Sequence, residues 1–354
     1  MYWTKVAVVG AGIAGTTCAR ELHDLGHEVE IFEMLSPDKA TRPKQMEGSV
    51  NFLQNIPEIE TDHHLKKMIM HSPNIAVSLK GKIGYLYEVG GENGIEAKNR
   101  RNIEKLLPIH YSTRIRNPQQ LKDKFQIIVA ADGYLSSIAK TSGLHLSKKP
   151  IRIGVGVGYT VKGDFDPELI EIWLGTYFSS QGYAYVIPFS QHEASLVSTS
   201  IGQNMNQTTY KDRLKGLAKQ RGWELKNEWV DFESWYDFSS YTKNNLFIIG
   251  NAGSFTDPAF GFGLKWAIKS GKLCATAIHE NINYDQLIRK KLLPEFETYK
   301  PLRNFFEVAT RDNYDNYVKT FDNPLVRRMA ESGKSLFKNK WLIRLLFPKL
   351  LKTK

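Results

Sequence analysis

The sequence predicts an α/β fold: a doubly wound, mainly parallel sheet, an inserted and mainly antiparallel sheet, and a helical C-terminal region. A strand–turn–helix–strand pattern opens the chain at residues 5–33, and short apolar strands return at 125–130 and 246–249. Between the last two, residues 149–235 contain alternating strands rich in tyrosine and tryptophan. We therefore expect three parts, which comprise residues 1–148 with 240–282, residues 149–239, and residues 283–354.

The opening segment places three glycines directly after an apolar strand, as Gly10-Ala11-Gly12-Ile13-Ala14-Gly15. In this spacing the first glycine allows a tight turn, the second lets the backbone approach a pyrophosphate, and the third lets the helix pack on the sheet. Glu33 follows the second strand, where a carboxylate can bind the hydroxyls of an adenosine ribose. The pattern predicts a Rossmann-type nucleotide-binding domain, and the alternative is an ordinary glycine-rich βαβ turn.

Two later turns lie at the same predicted sheet edge. Asp132 and Gly133 follow the strand at 125–130, although an Asp-Gly turn is also common without a ligand. Residues 250–264 contain four glycines and lead into a predicted helix at 265–279, whose first amides can face an anion.

Several local elements are also predicted. Two strands at 75–79 and 83–89 are expected to meet in a turn at Gly81, a helix is expected to start at Arg100 and run to 107, and another to cover 210–220. The loop at 36–49 is either a wall of the site or a solvated connection.

Composition limits the class of protein. The chain has 354 residues, 42% of them hydrophobic and 24% charged, which is typical of a globular protein. Cys18 and Cys274 form no CxxC pair and no metal-ligand set, so we expect no metal and a reduced, cytoplasmic setting. No apolar run reaches the length that spans a bilayer, and the first strand begins within five residues, so we expect no membrane span and no signal peptide.

The net charge of +11 is concentrated near the end of the chain. Residues 324–354 contain nine Lys or Arg against one acid, Glu331, interleaved with apolar side chains that include Trp341 and Phe347. Such a basic amphipathic segment suits an anionic membrane surface on the cytoplasmic face. Packing of its apolar side on the body of the protein is an equal alternative, and nucleic-acid binding is not expected because no nucleic-acid motif accompanies the charge.

Together, the three turn signatures resemble those of the FAD-dependent oxidoreductases of the p-hydroxybenzoate hydroxylase fold. Within that group, GNAGSFTDPAFGFGLKWAIKSG at residues 250–271 resembles the geranylgeranyl reductase family. The run Tyr183-Ala184-Tyr185-Val186-Ile187-Pro188 resembles the family's Tyr-x-Trp-x-Phe-Pro substrate-cavity motif.

The resemblance implies FAD as the cofactor and assigns residues to it. Glu33 would bind the ribose, Arg100 would contact the cofactor, Asp132 would lie near the pyrophosphate, and the amides of residues 261–264 would face the flavin N1–C2 edge. The full set of implied cofactor residues is Gly10, Ala11, Gly12, Ile13, Ala14, Gly15, Glu33, Met34, Arg100, Asp132, Gly133, Asn251, Asp257, Gly261, Phe262, Gly263 and Leu264. The substrate-cavity candidates are Tyr183, Tyr185, Pro188, Phe260 and Phe262, and no catalytic residue is assigned.

The chain departs from the family pattern at several positions. Asn251 replaces an aspartate and Phe262 a glutamate, Gln45 and Met46 stand where a cysteine is often found, and Tyr185 and Ile187 replace Trp and Phe.

The leading functional hypothesis is an FAD-dependent reductase that transfers hydride to carbon–carbon double bonds of an isoprenoid or other long apolar lipid. Its electron donor would be NAD(P)H or ferredoxin. One alternative is an aromatic monooxygenase that uses FAD, NAD(P)H and oxygen, and another is a flavin- or lipid-binding protein with little catalysis.

Overall fold

Two sheets form the layers that position the site, and the computed structural model describes them over residues 3–41, 46–50, 61, 63–202 and 206–333. The strands, in chain order, are β1 (Lys5–Val9), β2 (Glu28–Phe32), β3 (Met46–Val50), β4 (His64–His71), β5 (Ala76–Glu88), β6 (Ile109–His110), β7 (Ile127–Ala130), β8 (Arg152–Lys162), β9 (Leu169–Leu174), β10 (Gly182–Pro188), β11 (Glu193–Gly202), β12 (Glu224–Trp235), β13 (Thr242–Lys243) and β14 (Leu246–Ile248). The helices are α1 (Ile13–Asp24), α2 (Ile95–Ile103), α3 (Ser137–Ser142), α4 (Gln207–Arg221), α5 (Leu264–His279), α6 (Tyr284–Lys291), α7 (Leu293–Glu297), α8 (Lys300–Val308), α9 (Arg311–Lys319) and α10 (Pro324–Glu331).

The first sheet is covered on both faces. Its order is β13-β14-β7-β1-β2-β6, and all neighbours are parallel except β13 with β14. Side chains alternate along β1, so Val6 and Val8 pack in the core that contains α1 and α5, whereas Ala7 and Val9 pack in the core that contains Ile138 of α3. Helices on both faces of a mainly parallel sheet confirm the predicted fold class.

The second sheet has eight strands in the order β12-β8-β11-β10-β9-β4-β5-β3. Its neighbours are antiparallel except β4 with β9, which run parallel. Strands β3 to β5 come from residues that we assigned to the first part of the chain, so this sheet extends beyond the predicted 149–239 segment. The pairing of Met68 with Ile170 joins the two groups of strands.

The predicted turn at Gly81 is wrong, because β5 is one continuous strand of 13 residues. Gly81 has a φ of +148°, and a Cβ there would lie 2.3 Å from the backbone oxygen of Glu331. The glycine therefore allows the end of α10 to approach the strand. Arg327 of the same helix donates to the Ser78 oxygen at 2.9 Å, and α10 thus packs on the body of the protein.

The helix that we expected to start at Arg100 begins at Ile95 and ends at Ile103. Gly94 is its extended N-cap, where a Cβ would meet the Gly90 oxygen at 2.4 Å, so the sequence signal for the helix start was this glycine. The strands and helix predicted within 149–235 and the helical character of residues 284–320 are confirmed, with ends that differ by a few residues.

Replacing Gly81 by alanine is expected to destabilise the protein by about 1–3 kcal/mol, because the new methyl group displaces α10 from β5. Urea unfolding measures the decrease in the free energy of unfolding. The control is Gly216→Ala in α4, where a Cβ meets nothing within 4 Å, and a gain of about 0.5–1 kcal/mol is expected there. Equal effects of the two substitutions would contradict the close approach.

In the part of the chain that the structure describes, no helix is both long and apolar enough to cross a membrane. The predicted basic segment at 324–354 is described only to residue 333, and its remainder, including Trp341 and Phe347, lies outside the described residues.

Candidate functional site

A pocket of about 400 Å³ lies between the carboxyl edge of the first sheet and one face of the second, and its volume is typical of ligand sites. Residues from both layers line it. The first layer contributes Gly12, Ile13, Ala14, Ala131, Gly133, Asn251 and residues of the 260–267 segment, and the second contributes residues of β3, β8, β10, β11 and β12.

The glycine turn has the geometry of an anion site. A Cβ on Gly10 would lie 2.3 Å from the Ala131 oxygen, and one on Gly15 would lie 2.0 Å from the Gly10 oxygen, so packing requires both glycines. Gly12 differs, because the nearest atom to its Cβ position is a Glu96 oxygen at 3.8 Å. Helix α1 starts at this point without a side-chain cap, and among the described residues no group accepts from the amides of residues 12–15. Such unpaired amides at a helix start bind phosphate.

Glu33 links the glycine turn to the end of β2. It is 9% exposed, and its carboxylate accepts hydrogen bonds from the Ala11 amide and the Leu35 amide, both at 2.9 Å. A carboxylate has lone pairs for further donors, so these bonds leave room for a ribose hydroxyl. Met34 beside it is 55% exposed, and Arg100 donates to Thr41 Oγ1 at 3.3 Å. These side chains lie outside the pocket lining.

Asp132 has a different environment from the one we expected. Its carboxylate accepts from the Ser137 amide at 2.8 Å and from the Ser136 hydroxyl at 2.5 Å, so it caps the start of α3. Burial raises the pKa of Asp132. Gly133, with a φ of +80°, lines the pocket instead of the Asp132 side chain. Gly133 of the Asp-Gly pair thus lies at the pocket edge, whereas the Asp132 carboxylate accepts hydrogen bonds from its own turn.

Asp257 organises the loop before α5. It is completely buried and accepts hydrogen bonds from the amides of Ala259, Phe260 and Phe262 at 3.0, 2.8 and 2.9 Å. Burial raises its pKa to about 6.

This arrangement corrects one expectation about the amides of residues 261–264. Phe262 N donates to the Asp257 carboxylate, and Gly261 N donates to the Asp257 backbone oxygen at 3.1 Å. Of these four amides, those of Gly263 and Leu264 have no acceptor among the described residues, because they lie at the start of helix α5.

The raised pKa of Asp257 predicts a pH-dependent contribution to stability. The folded protein holds this proton more tightly than the unfolded chain, so the contribution is complete below about pH 4 and is lost as pH rises through about 6. From pH 4 to 7, the free energy of unfolding of the wild type relative to Asp257→Asn should fall by about 2 kcal/mol, since the variant does not titrate there. Urea unfolding of both proteins at these pH values tests this, and a constant difference would contradict it.

Asn251 joins the two layers at the pocket wall. Its Nδ2 donates to Glu233 of β12, and its Oδ1 accepts from Thr256 Oγ1 at 3.0 Å. Trp235 Nε1 also donates across to the Thr256 oxygen, at 2.9 Å. Sequence reasoning did not identify β12 as part of the site, because a strand of alternating charged and aromatic residues is equally typical of an exposed sheet edge.

A second, apolar cavity of about 40 Å³ adjoins the pocket. Its floor is one face of four strands and its roof comes from the 260–262 turn and helices α8 and α9. The lining residues are Gly48, Val50, Met68, Met70, Ile170, Ile172, Leu174, Tyr183, Tyr185, Ile187, Phe260, Phe262, Phe306 and Tyr317. Four of these residues also line the first pocket, namely Tyr183, Tyr185, Phe260 and Phe262.

The predicted substrate residues therefore lie together, with the exception of Pro188, which ends β10 outside both linings. Tyr183 donates from its hydroxyl to the Phe260 oxygen at 2.9 Å and fixes the turn to β10. Sequence reasoning missed Phe306 and Tyr317, whose only signal was the apolar face of their helices. It also missed Met68 and Met70 of β4.

The opening βα unit matches the NAD(P)-binding Rossmann-like domain over residues 8–36. The digeranylgeranylglycerophospholipid reductase of Methanosarcina acetivorans is 25% identical over 82% of this chain and 79% of its own length. The chloroplastic geranylgeranyl diphosphate reductase of Oryza sativa is 24% identical over 92% of this chain and 82% of its own length. The chain is thus similar to geranylgeranyl reductases over most of its length.

A solved structure described as a geranylgeranyl bacteriochlorophyll reductase-like protein, from Thermoplasma acidophilum, superposes with a TM-score of 0.76. It is 18% identical and covers 99% of this chain and 98% of its own, so it shows the shared fold. The comparisons confirm the predicted resemblance to geranylgeranyl reductases and the predicted Rossmann-type domain.

Proposed function

We propose that the chain is an FAD-dependent reductase that saturates carbon–carbon double bonds of an isoprenoid or similar long apolar lipid. One observation carries the proposal. The pocket that begins at the glycine turn shares four aromatic lining residues with a cavity lined almost wholly by apolar side chains. The names of the sequence relatives, which are reductases of geranylgeranyl compounds, support the substrate class.

The residues present fit FAD. The amides of residues 12–15 would hold the pyrophosphate, Glu33 would accept from the ribose, and the amides of Gly263 and Leu264 would stabilise negative charge on the reduced ring. The oxygen of Asn251 would face the ribityl chain from the pocket wall. Bound FAD supplies the hydride, and the protein orients the two partners and excludes water.

The apolar cavity would receive the lipid chain. At about 40 Å³ it is much smaller than a polyprenyl chain, so side chains must shift when the chain enters. Met68 and Met70 suit this requirement, since unbranched thioether side chains repack easily.

The lipid would be collected at an anionic membrane surface by a protein otherwise in the cytoplasm. Helix α10 packs on β5, so the segment proposed to touch the membrane is the basic remainder beyond residue 333. Replacing Trp341 and Phe347 with aspartate should abolish flotation with liposomes that contain anionic lipid. Undiminished flotation would reject the membrane contact and leave the reductase proposal intact.

The function is tested by identifying the cofactor and then the chemistry. Denatured protein should release FAD, identified by mass spectrometry. Under anaerobic conditions, enzyme reduced by dithionite, NADPH or reduced ferredoxin should convert a polyprenyl lipid to a product 2 Da heavier per saturated bond. Colourless protein without FAD would contradict the proposal. Oxygen consumption coupled to hydroxylation of an aromatic compound would favour a monooxygenase, and a flavin that cannot be cycled would favour a binding protein.

A further inference from the structure

Tyr185 lies where the flavin pocket, the larger pocket that is proposed to bind FAD, meets the apolar cavity. It is on β10 between Ile172 of β9 and Val197 of β11, and strand alternation places it on the same face as Tyr183. Its side chain lines both cavities. A substrate double bond that reaches the flavin from the apolar cavity must therefore pass this ring.

The two tyrosines of β10 differ in their hydroxyl groups. Tyr183 donates its proton to the Phe260 oxygen at 2.9 Å and is thereby fixed in position. Among the described residues, no group accepts a hydrogen bond from the Tyr185 hydroxyl. The ring of Tyr183 lies beside it, and the charges of Glu47 on β3 and Asp231 on β12 act on it through space; all three residues line the flavin pocket.

We propose that Tyr185 is the proton donor when the double bond is saturated, an inference that rests on the proposed reductase function. One alkene carbon takes the hydride supplied by reduced FAD, and the other forms a C–H bond with the phenolic proton of Tyr185. The π bond is lost, the alkene gains two electrons, and the flavin is oxidised by two. The phenolate left on Tyr185 regains a proton from solvent.

Two further features agree with this role. Burial, together with the charges of Glu47 and Asp231, raises the pKa of Tyr185, so its hydroxyl carries a proton across the physiological range. The related Tyr-x-Trp-x-Phe-Pro motif has an indole at this position, and an indole N–H is not a usable acid. The phenol is thus a feature of this chain.

Tyr185→Phe tests the proposal because it retains the ring and removes only the hydroxyl. Tyr177→Phe is the matched control, since Tyr177 is 63% exposed and lines neither cavity. In Tyr185→Phe, FAD content and the Kd for a polyprenyl lipid, measured by fluorescence quenching, should stay within about twofold of wild type. The single-turnover rate of lipid saturation by reduced enzyme should fall by about 100-fold or more.

A second readout does not depend on rate. In D2O, the wild-type product should carry solvent deuterium on one face of the new C–H centre, whereas the residual product of Tyr185→Phe should carry it on both. A variant that keeps its rate within about threefold and its stereochemistry would overturn the role of Tyr185 alone, as would a loss of lipid binding equal to the loss of rate. Failure of FAD-loaded wild type to saturate any polyprenyl lipid would reject the reductase function itself.

Discussion

Gly12→Val is expected to give a folded protein that does not retain FAD. The backbone of Gly12 has φ −75° and ψ −176°, which valine can adopt, and no described atom lies closer than 3.8 Å to the new Cβ position. The added side chain occupies the space where the pyrophosphate must approach the first amides of α1. Losing those charge-assisted hydrogen bonds should weaken FAD binding by at least about 100-fold. Absorbance of the purified protein at the flavin bands measures FAD retention, and the melting temperature shows that the variant is folded.

The comparison that sharpens this test is Gly15→Ala. A Cβ on Gly15 lies 2.0 Å from the Gly10 oxygen, so this smaller change should destabilise the fold, whereas the larger change at Gly12 should not. FAD retained at full stoichiometry in Gly12→Val would mean that the cofactor does not use the glycine turn.

Gly48→Leu is expected to impair lipid saturation without impairing FAD binding. Gly48 lines the apolar cavity, and a Cβ there meets Ile187 at 3.2 Å, so a leucine fills the remaining space. FAD content and reduction of the flavin by dithionite should remain normal, while lipid saturation falls to less than about a tenth of wild type. Overpacking should cost about 1–3 kcal/mol of stability, which chemical unfolding can measure.

Gly48→Ala provides the graded control for that substitution. Its methyl group needs only a small shift of the Ile187 side-chain end, so its loss of lipid saturation should be much smaller. If the Gly48→Leu variant reduced the lipid at the wild-type rate, the lipid would have to bind outside the apolar cavity.

The parts of the site that depend on local sequence were predictable. Gly10 and Gly15 make the close approaches that their spacing implies, and the space beside Gly12 is open, because a turn between a strand and its following helix is set by a few consecutive residues. The position of Gly133 at the pocket edge was predictable for the same reason.

The roles of two carboxylates were not predictable, because each depends on which amides remain free after folding. The Asp132 carboxylate accepts a hydrogen bond from the first turn of α3, and the Asp257 carboxylate accepts hydrogen bonds from the amides of Phe260 and Phe262. A sequence pattern shows that an acidic residue follows a strand or precedes a turn. It does not show whether the carboxylate oxygens accept hydrogen bonds from a ligand or from backbone amides.

The pairing of strands that are distant in sequence was also not predictable. The alternation within β3 to β5 is the same whichever sheet these strands join, so only the structure reveals β4 beside β9 and Gly48 in the apolar cavity. In the same way, Phe306 and Tyr317 belong to helices whose apolar faces indicate burial without indicating what they cover.

The roof of the apolar cavity has a consequence for biosynthesis. A ribosome releases the chain from its N-terminus, and the described lining of the flavin pocket ends at Ala267, whereas Phe306 and Tyr317 come about 40–50 residues later. All described lining residues of the larger pocket are thus synthesised before the helical part of the roof of the apolar cavity. Helices α8 and α9, which are synthesised last among the lining elements, then cover the apolar face of the second sheet.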